Sequence, residues 1–545
     1  MTVRWLPIAI AGGVVALVVS AATAPLRLAP PPETDRVSET VVRHVDVLTA
    51  DRWDAAGVTP AAEADELTVL RRLSLALHGT IPSLEEIRRF EADERPDRLT
   101  HAAAAMLEDP RFGRYFAERF ARALVGTATD PFVIFRRDRF TEWLSERFQG
   151  DHPFDETARA LIAGEGMWTD TPEVNFITAA FANDDLDEAE LTARTTRVFL
   201  GQRLDCAECH DHPFDDWTQA QFEGLASHFA GVGPTITGVR DRADATYTVQ
   251  DLETLEDREV APAVPYHPEW LPEEGRPRER LAAWVTHPGQ RRFDRAVVNR
   301  VWALMFGQPY LPDRPVDDIP GPDQREYDAD LEVLDLLAED FRSGDPSRPR
   351  SVKRLVLTIA ASDAFRRSSQ TPTEPQTSDE LRAVADAEYV WAVRPLVRLR
   401  PEQMIGSMIQ AASLKTIDQD SHLFVRALRF FRENDFLRDF GDAGEDELVA
   451  DPGTIPQALL RMNGNLPKEL ADTTPFTASG RILAGAPDDA SAIETAFLAV
   501  LTRRPTEAEA DAFAGWFGEK GNARERAMQD LYWALFNTPE FSWVR

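Results

Sequence analysis

The only two cysteines of the chain stand three apart and directly before a histidine, in Cys206-Ala-Glu-Cys209-His210. Thiols and an imidazole at this spacing support three chemistries. Cys-x-x-Cys-His is the attachment pattern of c-type haem, in which both thiols add across the vinyl groups as thioethers and the histidine binds iron. Cys206, Cys209, His210 and His212 are also soft and borderline ligands suited to zinc. Four ligands within seven residues is cramped, so His228 or Asp211 stands as a replacement for one of them. A redox-active disulfide is the third chemistry, although no thioredoxin-like alternation of strand and helix surrounds the motif.

For haem, the open question is the second axial ligand. A cytochrome of the usual kind presents a methionine downstream, but none lies between Met167 and Met305. His228 is the candidate for that position; His212 is too close in sequence to reach the opposite face. The haem is then bis-histidine or five-coordinate. Asp211, Asp215, Asp216 and Trp217 come directly after the motif. They read either as orienting partners of the histidines or as a helix start, with Asp215 capping and Trp217 packing.

Helical patterning surrounds the motif. Leu67, Leu70, Leu73 and Leu77 recur at helical spacing, with Arg71 and Arg72 between them and Gly79 as a stop. Ser83 and Glu86 form a capping box for the next helix. His78 near the first helix end reads as a partner for the helix dipole. A helix over Thr192–Gly201 runs straight into the cysteine motif. Thr235 to Thr237 and Thr246 to Val249 favour strands, and prolines 262, 265, 268 and 272 make a stiff connector after them. The expected class is mainly α, a multi-helical two-domain protein with a short β-rich and proline-rich connector. The expected divisions are 1–24, 25–60, 61–232, 233–275 and 276–545. In the last of these Arg295 and Asn299 share a helix face, and buried polar bridging accounts for them better than a ligand cleft. Gln457, Met462 and Asn463 carry the same two readings. Asp317-Asp318 is an acidic pair of the kind chance supplies in so acidic a chain.

The 545 residues carry a net charge of -32, which repels nucleic acid and excludes it as a partner. No phosphate loop, Gly-x-Ser-x-Gly elbow or His-Glu-x-x-His helix occurs, so nucleotide and hydrolase chemistry have no motif behind them. Arg4 precedes an uncharged apolar run from Trp5 to Ala24, an export signal or a single membrane anchor. Export places the chain in the periplasm or at the cell surface, where haem c is assembled.

Five stretches carry a family resemblance. Leu70-Arg-Arg-Leu-Ser-Leu-Ala-Leu-His-Gly-Thr-Ile-Pro-Ser-Leu-Glu-Glu-Ile87, and Thr192 to Gly201 with Cys206 to Gln219, resemble the planctomycete cytochrome-c-like domain. Arg295-Ala-Val-Val-Asn-Arg-Val-Trp-Ala303 and Ile455-Pro-Gln-Ala-Leu-Leu-Arg-Met-Asn-Gly464 are similar to its usual C-terminal companion. The resemblance implies a cytochrome-c-like label and no established activity for either domain. The expectation is an exported, electron-transfer-type protein with covalent haem c at Cys206, Cys209 and His210, and an exported protein or redox partner for the helical companion domain. The alternatives are a zinc- or disulfide-bearing helical scaffold that assembles with a co-exported enzyme, and an enzyme acting on polysaccharide.

Overall fold

The computed structural model describes residues 37–128, 135–182, 185–213, 217–242, 245–250, 255–321, 328–371, 375–417, 448, 453–520 and 524–544. The chain is mainly α, with only short antiparallel strand pairs beside the helices. The apolar run from Trp5 to Ala24 lies outside the described residues. Among those described, no helix is long and apolar enough to cross a membrane.

Local signals build the first helices as the sequence leads one to expect. Glu66–His78 starts where the Asp65 carboxylate accepts the Thr68 amide at 3.0 Å, and stops at Gly79, which takes a left-handed conformation at φ 70°. The next helix, Leu84–Glu91, opens with both halves of a capping box: Ser83 Oγ accepts the Glu86 amide, and Glu86 accepts the Ser83 amide at 2.8 Å. His78 departs from expectation. Its ring is buried and bonded to the Met106 carbonyl at 2.9 Å, and burial pushes its pKa down to about 4. The imidazole is therefore neutral at pH 7 and offers the helix dipole no charge.

Packing unites what the sequence divides. One hydrophobic core runs from Val45 to Phe365, adds Trp391, Leu448 and Leu498, and takes residues from both sides of the connector. A ladder of rings marks the join: Phe154 and Phe199 both lie against Phe293, at centroid separations of 6.2 and 6.3 Å. Buried charge takes the same path. Arg350 bonds Asp294 at 2.8 Å and reaches Asp155 at 3.3 Å, while Arg278 holds Asp241 at 2.7 Å and the carbonyls of Ile162 and Gly164. The second core lies in residues 399–541 but borrows Leu75 and Ile81 from the first segment. The Glu66–His78 helix thus serves both cores, and Arg71 extends from it to the carbonyls of Val500 and Phe541.

The connector holds two hairpins. Val232–Thr235 pairs with Gly238–Asp241, Val232 opposite Asp241, and Tyr247–Gln250 pairs with Asp257–Val260. Val239 is bonded in both directions to Gly166, which docks the first hairpin on the helical body. Between Pro268 and Pro272, Trp270 is stacked between His267 and His287, with centroids 3.9 and 4.5 Å away.

Candidate functional site

The Glu188–Leu200 helix delivers the motif. Asp187 caps it, accepting the Glu190 amide at 2.8 Å, and Gly201 ends it at φ 59°. Gly201 also fills a tight corner. A Cβ there would sit 2.9 Å from Ile319 Cδ1, and its carbonyl accepts the Ile319 amide at 2.9 Å. Leu204 and Ala207 then plunge into the core, which turns Cys206 and Cys209 outward on the short turn Asp205–Glu208. Arg197, on the last turn of the helix, bonds Asp205 through Nε at 3.1 Å. That bidentate pair ties the residue before Cys206 to the preceding helix.

The far side of the motif is fixed as well. The Asp211 carboxylate accepts the Gln219 amide at 2.9 Å, and Gln219 Nε2 donates to the Glu208 carbonyl at 3.2 Å. Thr218 and Gln221 form a capping box for the helix Gln219–Ala226. The cap of that helix is therefore Thr218, with Asp211 assisting, and Asp215 is not needed for it; Asp215 and Asp216 lie outside the described residues. Trp217 packs near Tyr266, at a centroid distance of 6.2 Å.

Within this frame Cys206 and Cys209 are free and exposed. His210 is exposed, and its Nδ1 meets the Asp211 carbonyl at 2.7 Å. A carbonyl only accepts, so Nδ1 donates there, and in the neutral tautomer that allows this Nε2 keeps the lone pair a ligand needs. His212 is half-buried and its amide donates to the Trp217 carbonyl at 2.7 Å.

His228 does not join them. It sits on the turn Ser227–Phe229, is 1% exposed, and its Nδ1 meets the carbonyls of Gly224 and Leu225 at 3.1 and 3.2 Å. Nε2 is buried without a partner, and burial pushes the pKa down to about 4. To bind a group carried by the exposed thiols, this ring would have to leave the core. Among the described residues no three His, Cys, Asp or Glu converge on one metal position. The exposed turn presents Cys206, Cys209 and His210, with His212 alongside.

Residues 44–233 match the family model described as PSCyt2, a protein of unknown function (DUF1549), and residues 277–517 match PSD1, a protein of unknown function (DUF1553). The chain joins two domains of unknown function. The gap between the matched segments coincides with the hairpin and proline connector. No curated protein and no solved structure matches the chain.

The companion residues have structural roles. Arg295 is bonded to Asp335 and to the Pro320 carbonyl at 2.9 Å; Asn299 donates to the Val316 carbonyl and accepts the Tyr310 amide at 2.8 Å. Together they shape the loop after the Arg291–Phe306 helix. Asp317 pairs with Arg203 at 2.7 Å, and Asp318 lies 3.9 Å from Arg314, so the acidic pair does not converge on one point. Gln457 accepts from Arg398 at 3.1 Å, and Met462 is exposed. One site has no counterpart in the sequence reading: a cleft of about 1140 Å³ lined by arginines of both matched segments, including Arg72, Arg300 and Arg394. The sequence does hold a sign of it, since Arg394 directly succeeds the apolar run Val390-Trp-Ala-Val393.

Proposed function

We propose that Cys206, Cys209 and His210 attach a c-type haem, and that the chain is an exported, cytochrome-c-like, electron-transfer-type protein. One observation carries the reading: both thiols and a histidine with a committed Nε2 share an outward-facing turn held at both ends. Arg197 fixes that turn from the helix before it, and Asp211 and Gln219 fix it from the helix after it. The thiols are accessible to a macrocycle without unfolding, and the Asp211 carbonyl sets the tautomer that iron ligation requires. A bound haem would supply a one-electron couple whose potential is set by its second ligand and by solvent exposure.

With His228 held in the core, a five-coordinate haem held by His210 would fit this turn better than a bis-histidine one. The exposure of the turn leaves one side open to a redox partner. The run from Trp5 to Ala24 would direct export to the periplasm or cell surface, with or without a retained anchor.

The test is a pyridine haemochrome spectrum of the chain produced with haem c maturation machinery, beside Cys206→Ala and Cys209→Ala. A covalent haem signal that both substitutions reduce is the expected result. If no haem is incorporated the proposal fails. Stoichiometric zinc that is lost in Cys206→Ala would then identify a metal-bearing scaffold on the same residues.

A further inference from the structure

The arginine-lined cleft adjoins the cysteine turn through Arg197 and Arg203, but none of Cys206, Cys209 or His210 lines it. Arg72, Arg197, Arg203, Arg300 and Arg394 border it; Asp313 and Asp317 are the acids among its described lining. In a chain of net charge -32 such a concentration of guanidinium groups runs against composition. The acids near it are partly engaged already, because Asp317 pairs with Arg203 and Asp205 with Arg197.

Arg394 is the unusual member. Its side chain is 1% exposed and lies near Phe306 and Phe365, with the guanidinium carbon 4.5 and 4.7 Å from the ring centroids. Nη2 donates to the Met305 carbonyl at 2.8 Å, but Nε and Nη1 are buried with no hydrogen-bond partner. Among the described residues no carboxylate pairs with the guanidinium. The charged group that acts on it is Arg72, of the same sign, and burial holds its pKa well below the usual arginine range. A buried, uncompensated cation is costly, and an apolar side chain of similar volume commonly serves stability as well or better. Retaining arginine here makes physical sense when something else brings the counter-charge.

We propose that this cleft binds an organic oxyanion (a carboxylate, or a sulfate or phosphate ester) whose charged head lies against the arginines. Guanidinium groups match oxyanions through paired N–H donors and are the favoured side chains for that task. Apolar side chains share the lining with the polar ones, Leu75, Leu304, Met305 and Val397 among them, which suits the body of the ligand. The volume is at the upper end for small-molecule sites, so the ligand is of oligosaccharide or cofactor size rather than a bare ion. Both matched segments line the cleft, so occupancy bridges them.

The experiment is thermal unfolding and calorimetric titration of the full chain with inorganic phosphate, inorganic sulfate and citrate, against chloride at equal ionic strength. The variants are Arg394→Met and Arg203→Ala, the second being half-exposed and safe for folding. The expected result is that at least one oxyanion raises Tm above chloride with 1:1 stoichiometry. Arg394→Met should weaken that binding at least tenfold while the ligand-free Tm holds or rises; Arg203→Ala should weaken it several-fold. A preference for citrate would identify a carboxylate head, and a preference for sulfate or phosphate a tetrahedral one. The proposal is overturned if no oxyanion differs from chloride, or if Arg203→Ala and Arg394→Met both bind as the parent does. A lowered ligand-free Tm for Arg394→Met with unchanged binding would also overturn it, since the arginine would then be structural.

Discussion

Acid should destabilise this protein well above the range in which carboxylates protonate, and two histidines set where. His78 and His228 each have a folded-state pKa of about 4, with burial as the largest cause. In the unfolded chain both return to about 6.5, the ordinary value for histidine. Between those values the unfolded chain binds more protons than the folded one, so stability falls as pH is lowered through that window. From pH 7 to pH 5 each histidine removes about 2 kcal/mol, which is a large share of a typical 5–15 kcal/mol. Asp46 works in the opposite sense. Burial raises its pKa to about 6, so it takes up its proton earlier when folded and, after a discount for solvent screening of this half-buried group, restores about 1 kcal/mol at most over the same interval. The assay is urea unfolding at a series of pH values for the parent, His78→Gln, His228→Asn and Asp46→Asn. Gln at position 78 can keep the donor to the Met106 carbonyl, and Asn at 228 can keep the one to Gly224. Each histidine variant should be flatter between pH 7 and 5 by about 2 kcal/mol, and Asp46→Asn steeper by about 1 kcal/mol. Parallel pH curves for parent and both histidine variants would refute the reasoning.

Two further outcomes rest on single positions. Gly201→Ala places a side chain in a left-handed conformation and against Ile319, and should cost about 1–2 kcal/mol in denaturant unfolding. Asp294→Ala leaves buried Arg350, beside Phe293, with Asp155 as its remaining carboxylate and should cost about 3 kcal/mol, with most of that recovered in the double variant with Arg350→Met.

Sequence reasoning succeeded where short-range chemistry decides. The leucine repeat, Gly79 and the Ser83–Glu86 box produced the helix boundaries seen here, because caps and periodicity act within one or two turns. The strand-favouring threonines fell in or beside the two hairpins for the same reason. Failures came where distant packing decides. Nothing within a few residues of His78 or His228 shows that each would be sealed in a core, which removes one from the helix dipole and the other from the cysteine turn. The arginine cleft was hidden because its walls come from residues 72, 197, 300 and 394, which no local pattern connects. The shared core was hidden too: the proline-rich connector separates the two matched segments, and both of them contribute side chains to one continuous interior.

That shared interior has a consequence for how the chain is made. Arg71 reaches partners 429 and 470 positions downstream, and Leu75 accepts a bond from Gln403. Synthesis proceeds at roughly 5–20 residues per second, so the first helices wait on the order of tens of seconds for the segments that complete them. Until then their leucines have no finished surface to cover, and early folding intermediates expose apolar side chains to chaperones, proteases and one another. Contacts so remote in sequence also slow the search itself. A polypeptide with this wiring reaches its stable form only once nearly all of it has emerged.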